Sequence, residues 1–170
     1  MPSWFRPFVL WLHLLGVMLW IGGLLFHVLV VLPLLARHDT TVERLRLSLA
    51  LEARFRRVMW PAVGLVLFTG LGNLLTVWHA TVVLGGSLPP TFAWVLGAKM
   101  LLVLGMVLLL FFLQIVIQPR RLAVLSGPSH TAHAPPVTLQ RLQRLTLLLY
   151  LLILVLGAAV LWCGVLLRNI

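Results

Sequence analysis

The sequence predicts an all-α integral-membrane protein: a four-helix bundle in one domain, residues 1–170, with both termini on the periplasmic side. Three observations carry that expectation. First, 62% of the residues are hydrophobic and only 9% charged, far from the half-apolar, quarter-charged balance of a soluble domain. Second, the segments 8–36, 58–79, 92–118 and 145–167 each exceed the ~20 apolar residues that cross a bilayer. Third, the arginines are unevenly placed. Arg37, Arg44, Arg46, Arg54, Arg56 and Arg57 lie in the connector 37–57, and Arg120, Arg121, Arg141 and Arg144 in the connector 119–144. Only Arg6 and Arg168 fall on the other side. Cytoplasmic loops carry such an excess, so both connectors are expected inside and the 79–91 turn outside.

The first segment is too long for a signal peptide, and no small-residue cleavage site follows it. It carries His13, Gly16, Trp20, Gly23 and His27 at spacings of 3, 4, 3 and 4, one stripe of a helix. The two imidazoles are fourteen residues apart, about 21 Å of rise. Ionisable groups in hydrocarbon are costly, so both are candidate metal ligands.

Residues 40–57 also read as helical, with Leu45, Leu49 and Glu52 on one face and Leu47, Leu51, Phe55 and Val58 on another. Either the second helix begins below the membrane, its arginines reaching anionic headgroups, or the stretch is a solvated basic connector. The net charge of +10 then points to lipid and not to nucleic acid. Higher up, Thr69, Gly72, Thr76 and His79 form a polar stripe with Asn73 beside it. His79 arrives at the outer side, as His13 does. Two neutral imidazoles at one depth could bind a haem iron axially, with the hydroxyls and amide on its propionates. Alternatively, His79 is interfacial and the Thr and Asn side chains join helices.

Residues 85–90 read as an outer turn, and 127–136, with three prolines and two histidines, as a flexible cytoplasmic loop. Lys99, the only lysine, lies about two turns into the third helix. It either snorkels to the interface or meets an anionic ligand such as a haem propionate. The three acids, Asp39, Glu43 and Glu52, all fall in the first connector. The membrane helices are thus expected to lack carboxylates and any carboxylate proton relay. His27 could be reached only by the loop histidines His38, His130 and His133. It reads as a second metal ligand or as a hydrogen-bonded structural residue.

Trp4, Trp11, Trp78, Trp94 and Trp162 map to the outer side, as an interfacial belt would. The single Cys163 excludes an intramolecular disulfide and a multi-cysteine metal cluster. Copper(I) prefers sulfur ligands with imidazole as a partner. Cys163, Met18, Met100 and Met106 lie in the apolar segments without a paired-sulfur motif and read as packing residues. No hydrolytic constellation and no phosphate-binding glycine loop is present. The glycines permit close helix approach or room for a flat macrocycle.

Leu12-His13, Gly16, Trp20, Gly22-Gly23 and Phe26 resemble the first-helix pattern of the superfamily that holds copper resistance protein D (CopD) and the HemJ-type protoporphyrinogen oxidases. Arg54 to Ala62, with Met59, Pro61 and the later Gly70, resembles the HemJ-type second helix. Trp94 and Lys99-Met100 resemble the opening of the third. The resemblance implies a four-helix inner-membrane protein. Its HemJ side implies haem b, with His13 and Lys99 among the important residues. Its CopD side implies copper passage. Two departures stand out: Phe111-Phe112-Leu113-Gln114 replaces a later third-helix histidine, and Leu145-Thr146-Leu147 stands where an Asn-Glu-x-Pro element opens the fourth helix. Protoporphyrinogen oxidation is therefore not carried over.

The leading expectation is a haem b protein of the bacterial inner membrane, transferring electrons near the periplasmic face with a quinone or a periplasmic redox protein. His13, His79, Lys99, Trp20, Gly16, Gly23, Asn73 and Thr76 would form its cofactor site. His13, His79 and His27 are the candidate metal ligands. Two alternatives stay open: a CopD-like copper transport or resistance protein, and a cofactor-free accessory subunit packed against other membrane subunits.

Overall fold

The computed structural model describes residues 4–36, 41–83, 85, 89–126 and 137–169, and every element among them is helical. The turn residues 86–88, the loop 127–136, and His38 and Asp39 lie outside the described residues. Four helices follow one another: α1 (5–36), α2 (41–83), α3 (90–126) and α4 (Val137–Asn169). Each contains a stretch long and apolar enough to cross a membrane: Phe5–Leu34, Arg46–Trp78, Pro90–Ala123 and Arg141–Leu167. In hydrocarbon every backbone polar group must be satisfied internally, and a helix does this within one segment. The chain is a multi-pass membrane protein.

The helices run beyond the apolar segments. α2 starts at Thr41, α3 continues to Ser126, and α4 begins at Val137. Hydropathy marks where lipid ends, not where the helix ends. The flanking stretches are rich in Leu, Arg, Ala and Gln, which carry good intrinsic helix propensity. Wider π-type turns occur at Met18–Gly22, His27–Val31, His79–Val83 and Leu113–Ile117. The dihedrals of Gly23 and Leu32 beyond the first two remain α-helical, so α1 is not broken.

By Cα packing the chain forms two compact units. The first holds most of α1 together with α2 from Arg46. Its two helices are antiparallel and in close contact. A Cβ on Gly16 would lie 2.8 Å from Val66 Cγ2 and 3.3 Å from the Ala62 carbonyl oxygen. A Cβ on Gly23 would lie 2.8 Å from Phe55 Cε2. Small residues thus let the backbones approach where no hydrophobic drive exists between helices. The buried row of α2 is Thr69, Val66, Ala62, Met59, Glu52 and Ser48, with half-buried Phe55 completing it. Its steps of three and four residues are those of a knobs-into-holes seam.

The second unit holds α3 and α4, packed against each other along their length. Met106, Leu110, Leu113 and Ile117 are buried on α3, and Thr146, Tyr150 and Ile153 on α4. Lys99 Nζ lies 3.9 Å from the Cβ position of Gly164. An antiparallel register extended from that approach pairs Leu110 with Ile153, Leu113 with Tyr150 and Ile117 with Thr146. Each set is buried, so one register runs the length of this pair.

Candidate functional site

The stripe His13, Gly16, Trp20, Gly23 and His27 faces the α1–α2 seam. Gly16, Trp20 and His27 are buried and His13 and Gly23 half-buried, as a single helix face requires. At one end, His13 Nδ1 lies 2.9 Å from Thr69 Oγ1, and its ring edge packs over Gly70, 3.4 Å from where a Cβ would stand.

The Thr69 hydroxyl decides the tautomer. Its oxygen is 2.6 Å from the Leu65 carbonyl and 3.3 Å from that of Val66. A carbonyl can only accept, so the single hydroxyl proton is directed into α2. Thr69 Oγ1 must then accept from His13, which carries its proton on Nδ1. The imidazole lone pair is thereby set on Nε2. An imidazole oriented through its other nitrogen by an oxygen acceptor is the usual second-shell arrangement of a metal-binding histidine.

Trp20 lies midway along the seam, only 2% exposed. The register set by the Gly16 and Gly23 approaches puts Ala62 and Met59 opposite it. At the far end, His27 is stacked on Phe55, with ring centroids 5.5 Å apart and planes 16° from parallel. One turn along α2 from Phe55 is Glu52, 3% exposed, whose carboxylate accepts a 3.0 Å hydrogen bond from Ser48 Oγ.

On α2, Asn73, Thr76 and His79 are not gathered at His13. Asn73 is half-buried one turn beyond Thr69. Thr76 is exposed, and its hydroxyl donates to the Gly72 carbonyl at 2.9 Å. His79 is exposed, ten residues past Thr69 on the same helix, about 15 Å along its axis. His13 and His79 are therefore not brought to one iron. Lys99 belongs to the α3–α4 pair, beside Gly164. Among the described residues, no three of His, Cys, Asp and Glu converge as a metal-holding group.

Glu52 is buried, 3% exposed, in the arginine-rich stretch of α2 that precedes its apolar part. It sits among arginines, whose hydropathy makes the segment look like a connector. A signal was available. Stepping back from Thr69 by alternating threes and fours reaches Glu52 and Ser48 on the same row.

Residues 49–162 match the copper resistance protein D (CopD) family. The chain belongs to the CopD family. The matched stretch holds most of α2, all of α3 and most of α4. The α1 stripe precedes it, so the match does not cover the His13-to-Gly23 pattern. No curated protein and no solved structure gives a significant match. Membership makes this a copper-resistance-type membrane protein. The HemJ half of the resemblance, with its haem and electron transfer, gains no support from it.

Proposed function

We propose that this CopD-family chain handles copper(I) as cargo within the membrane, with His13 Nε2 as the ligand at the Thr69 end of the α1–α2 seam. The observation that carries this reading is the paired hydrogen bonding of Thr69. It directs its own proton into the helix and so presents an acceptor to His13 Nδ1. An imidazole so fixed is a ligand of one orientation, set in a seam between apolar helices.

The donor chemistry suits copper(I) better than haem. Copper(I) accepts imidazole and thioether ligands at low coordination number. Met59 lies buried on the same row of α2, between the layers of the two histidines. A haem held by His13 and His79 would need both rings on one iron, and α2 separates their layers by about 15 Å. With the arginine-rich connectors inside, the His13 end would face outwards and the ligand would stand near the periplasmic face of a bacterial inner membrane.

The test is anaerobic copper(I) titration of detergent-purified protein against a chromophoric copper(I) chelator. The wild type should compete for copper(I), and His13→Ala should lose at least about tenfold in affinity at that position. Equal affinity in the two proteins overturns the ligand. A reducible Soret band in the protein as purified overturns the copper reading in favour of haem.

A further inference from the structure

Turned away from the seam, α2 presents another row: Arg54, Arg57, Pro61, Gly64 and Phe68, at steps of three, four, three and four. Every residue of this row is exposed, whereas the seam row is mostly buried. Its character changes after Arg57, where the apolar stretch of the helix begins. The two arginines are therefore neighbours on the helix surface, at the depth where hydrocarbon gives way to headgroups. The row holds no acid, and the carboxylate of Glu52 is buried on another face. From Arg57 to Phe68 is about 16 Å of rise, close to the ~15 Å depth of one leaflet's hydrocarbon.

α4 carries the same arrangement of charge. Arg141 and Arg144 are also exposed and three residues apart. At the same later steps stand Leu148, Leu151 and Val155, all exposed. What differs is the surface beneath the arginines. On α4 each of those positions holds a branched side chain. On α2 the compact ring of Pro61 comes first, and then Gly64, where an added Cβ would meet nothing within 4 Å. Phe68, 77% exposed, projects only below them. The α2 surface is thus recessed between a pair of guanidinium groups and an aromatic ring.

We infer that this row of α2 binds one anionic glycerophospholipid, its phosphate on Arg54 and Arg57 and an acyl chain along Pro61 and Gly64. Charge complementarity selects the headgroup. Guanidinium groups donate charge-assisted hydrogen bonds to phosphate oxygens. A zwitterionic headgroup offers the same phosphate but brings its own ammonium, which two arginines repel. The recess selects for a single, held molecule. An acyl chain laid against a smooth stretch of backbone touches more atoms than one riding over leucine branches. The α4 pair attracts anionic lipid by charge alone. The site is independent of the copper reading.

Native mass spectrometry of the full-length protein in detergent, titrated with dioleoylphosphatidylglycerol or with dioleoylphosphatidylcholine as its zwitterionic counterpart, reads the affinity of the first lipid bound. The wild type should prefer phosphatidylglycerol about tenfold or more. The double variant Arg54→Gln, Arg57→Gln should lose that preference, and the double variant Arg141→Gln, Arg144→Gln should keep it. Gly64→Leu leaves every charge in place and fills the recess, and it should weaken phosphatidylglycerol binding about fivefold or more. Nothing stands near that Cβ, so the fold should be kept, which helical circular dichroism verifies for each variant. Equal binding of the two lipids by the wild type overturns the site. So does an equal loss from the α2 and α4 double variants, or wild-type affinity in Gly64→Leu, since either result reduces the effect to a general attraction between arginines and an anionic surface.

Discussion

The two helix pairs are built by the same packing rule and filled with different chemistry. The α3–α4 interior is a run of Met106, Leu110, Leu113, Ile117, Tyr150 and Ile153, with Thr146 and Arg121 buried towards one end. The α1–α2 interior is as rich in apolar residues, with Trp20, Leu24, Val28, Met59, Ala62, Val63 and Val66 buried, but sets Gly16, His27, Thr69, Glu52 and Ser48 among them. Apolar side chains in a membrane gain little from hiding, since lipid is equally apolar, so the first interior is held by close van der Waals contact. The second spends contact area on polar groups that each need a partner. The contrast lies in the polar groups, and it is in α1–α2 that the proposed binding chemistry would sit.

The strongest way to break the contrast is to wedge the polar seam apart. Gly16→Leu puts a branched side chain where even a Cβ would meet Val66 Cγ2 at 2.8 Å and the Ala62 carbonyl at 3.3 Å. A backbone oxygen cannot swing aside. The α1–α2 pair should separate, with loss of copper(I) binding and a lower midpoint in detergent unfolding. Neighbouring glycines provide a sharper comparison. Gly23→Ala drives a Cβ into the Phe55 ring and should cost about 1–3 kcal/mol, whereas Gly22→Ala meets nothing within 4 Å and should be neutral. Equal effects at Gly22 and Gly23 would show that the close approach does not hold.

The opposite perturbation belongs to α3–α4. Ile153 is fully buried, and Ile153→Ala removes packing that nothing else supplies. The unfolded reference also lies in detergent or lipid, so the transfer term largely cancels and the cavity term remains. A loss of about 1–3 kcal/mol is expected, at the low end of soluble-core truncations. Copper(I) affinity should stay at the wild-type value. A loss of binding on Ile153→Ala would end the division of labour between the pairs.

Much of this was readable from the amino acids. Span existence follows from hydropathy. The buried stripe of α1 follows from the 3–4 spacing of His13, Gly16, Trp20, Gly23 and His27, and it is buried as that spacing requires. The facing partners were not readable, for one physical reason. Antiparallel register is set by where backbones approach most closely, and Gly16 against Val66 and Ala62 is a property of two helices together. Without that register, His79 looked like the partner of His13 because both stand near span ends. With it, Thr69 lies opposite and His79 nearly three turns beyond. Glu52 was hidden differently, since its arginine neighbours lower the local hydropathy while its own row of α2 is buried.

The smallest expected effect tests that register most directly. Thr69 and Thr76 are equivalent by sequence: both lie on the polar stripe of α2, and both hydroxyls donate to the carbonyl four residues back, at 2.6 and 2.9 Å. They differ in what reaches them. Thr69 accepts from His13, while Thr76 is exposed. Valine keeps the shape of threonine and removes the hydroxyl. Thr69→Val should cost about 0.6 kcal/mol, the average worth of a side-chain hydrogen bond between membrane helices. It should also weaken copper(I) binding about tenfold or more, because the imidazole loses the acceptor that fixes its tautomer. Thr76→Val should change neither quantity. The distinguishing result is the affinity and not the stability: a structural hydrogen bond would move unfolding alone, whereas an orienting one must move metal binding as well.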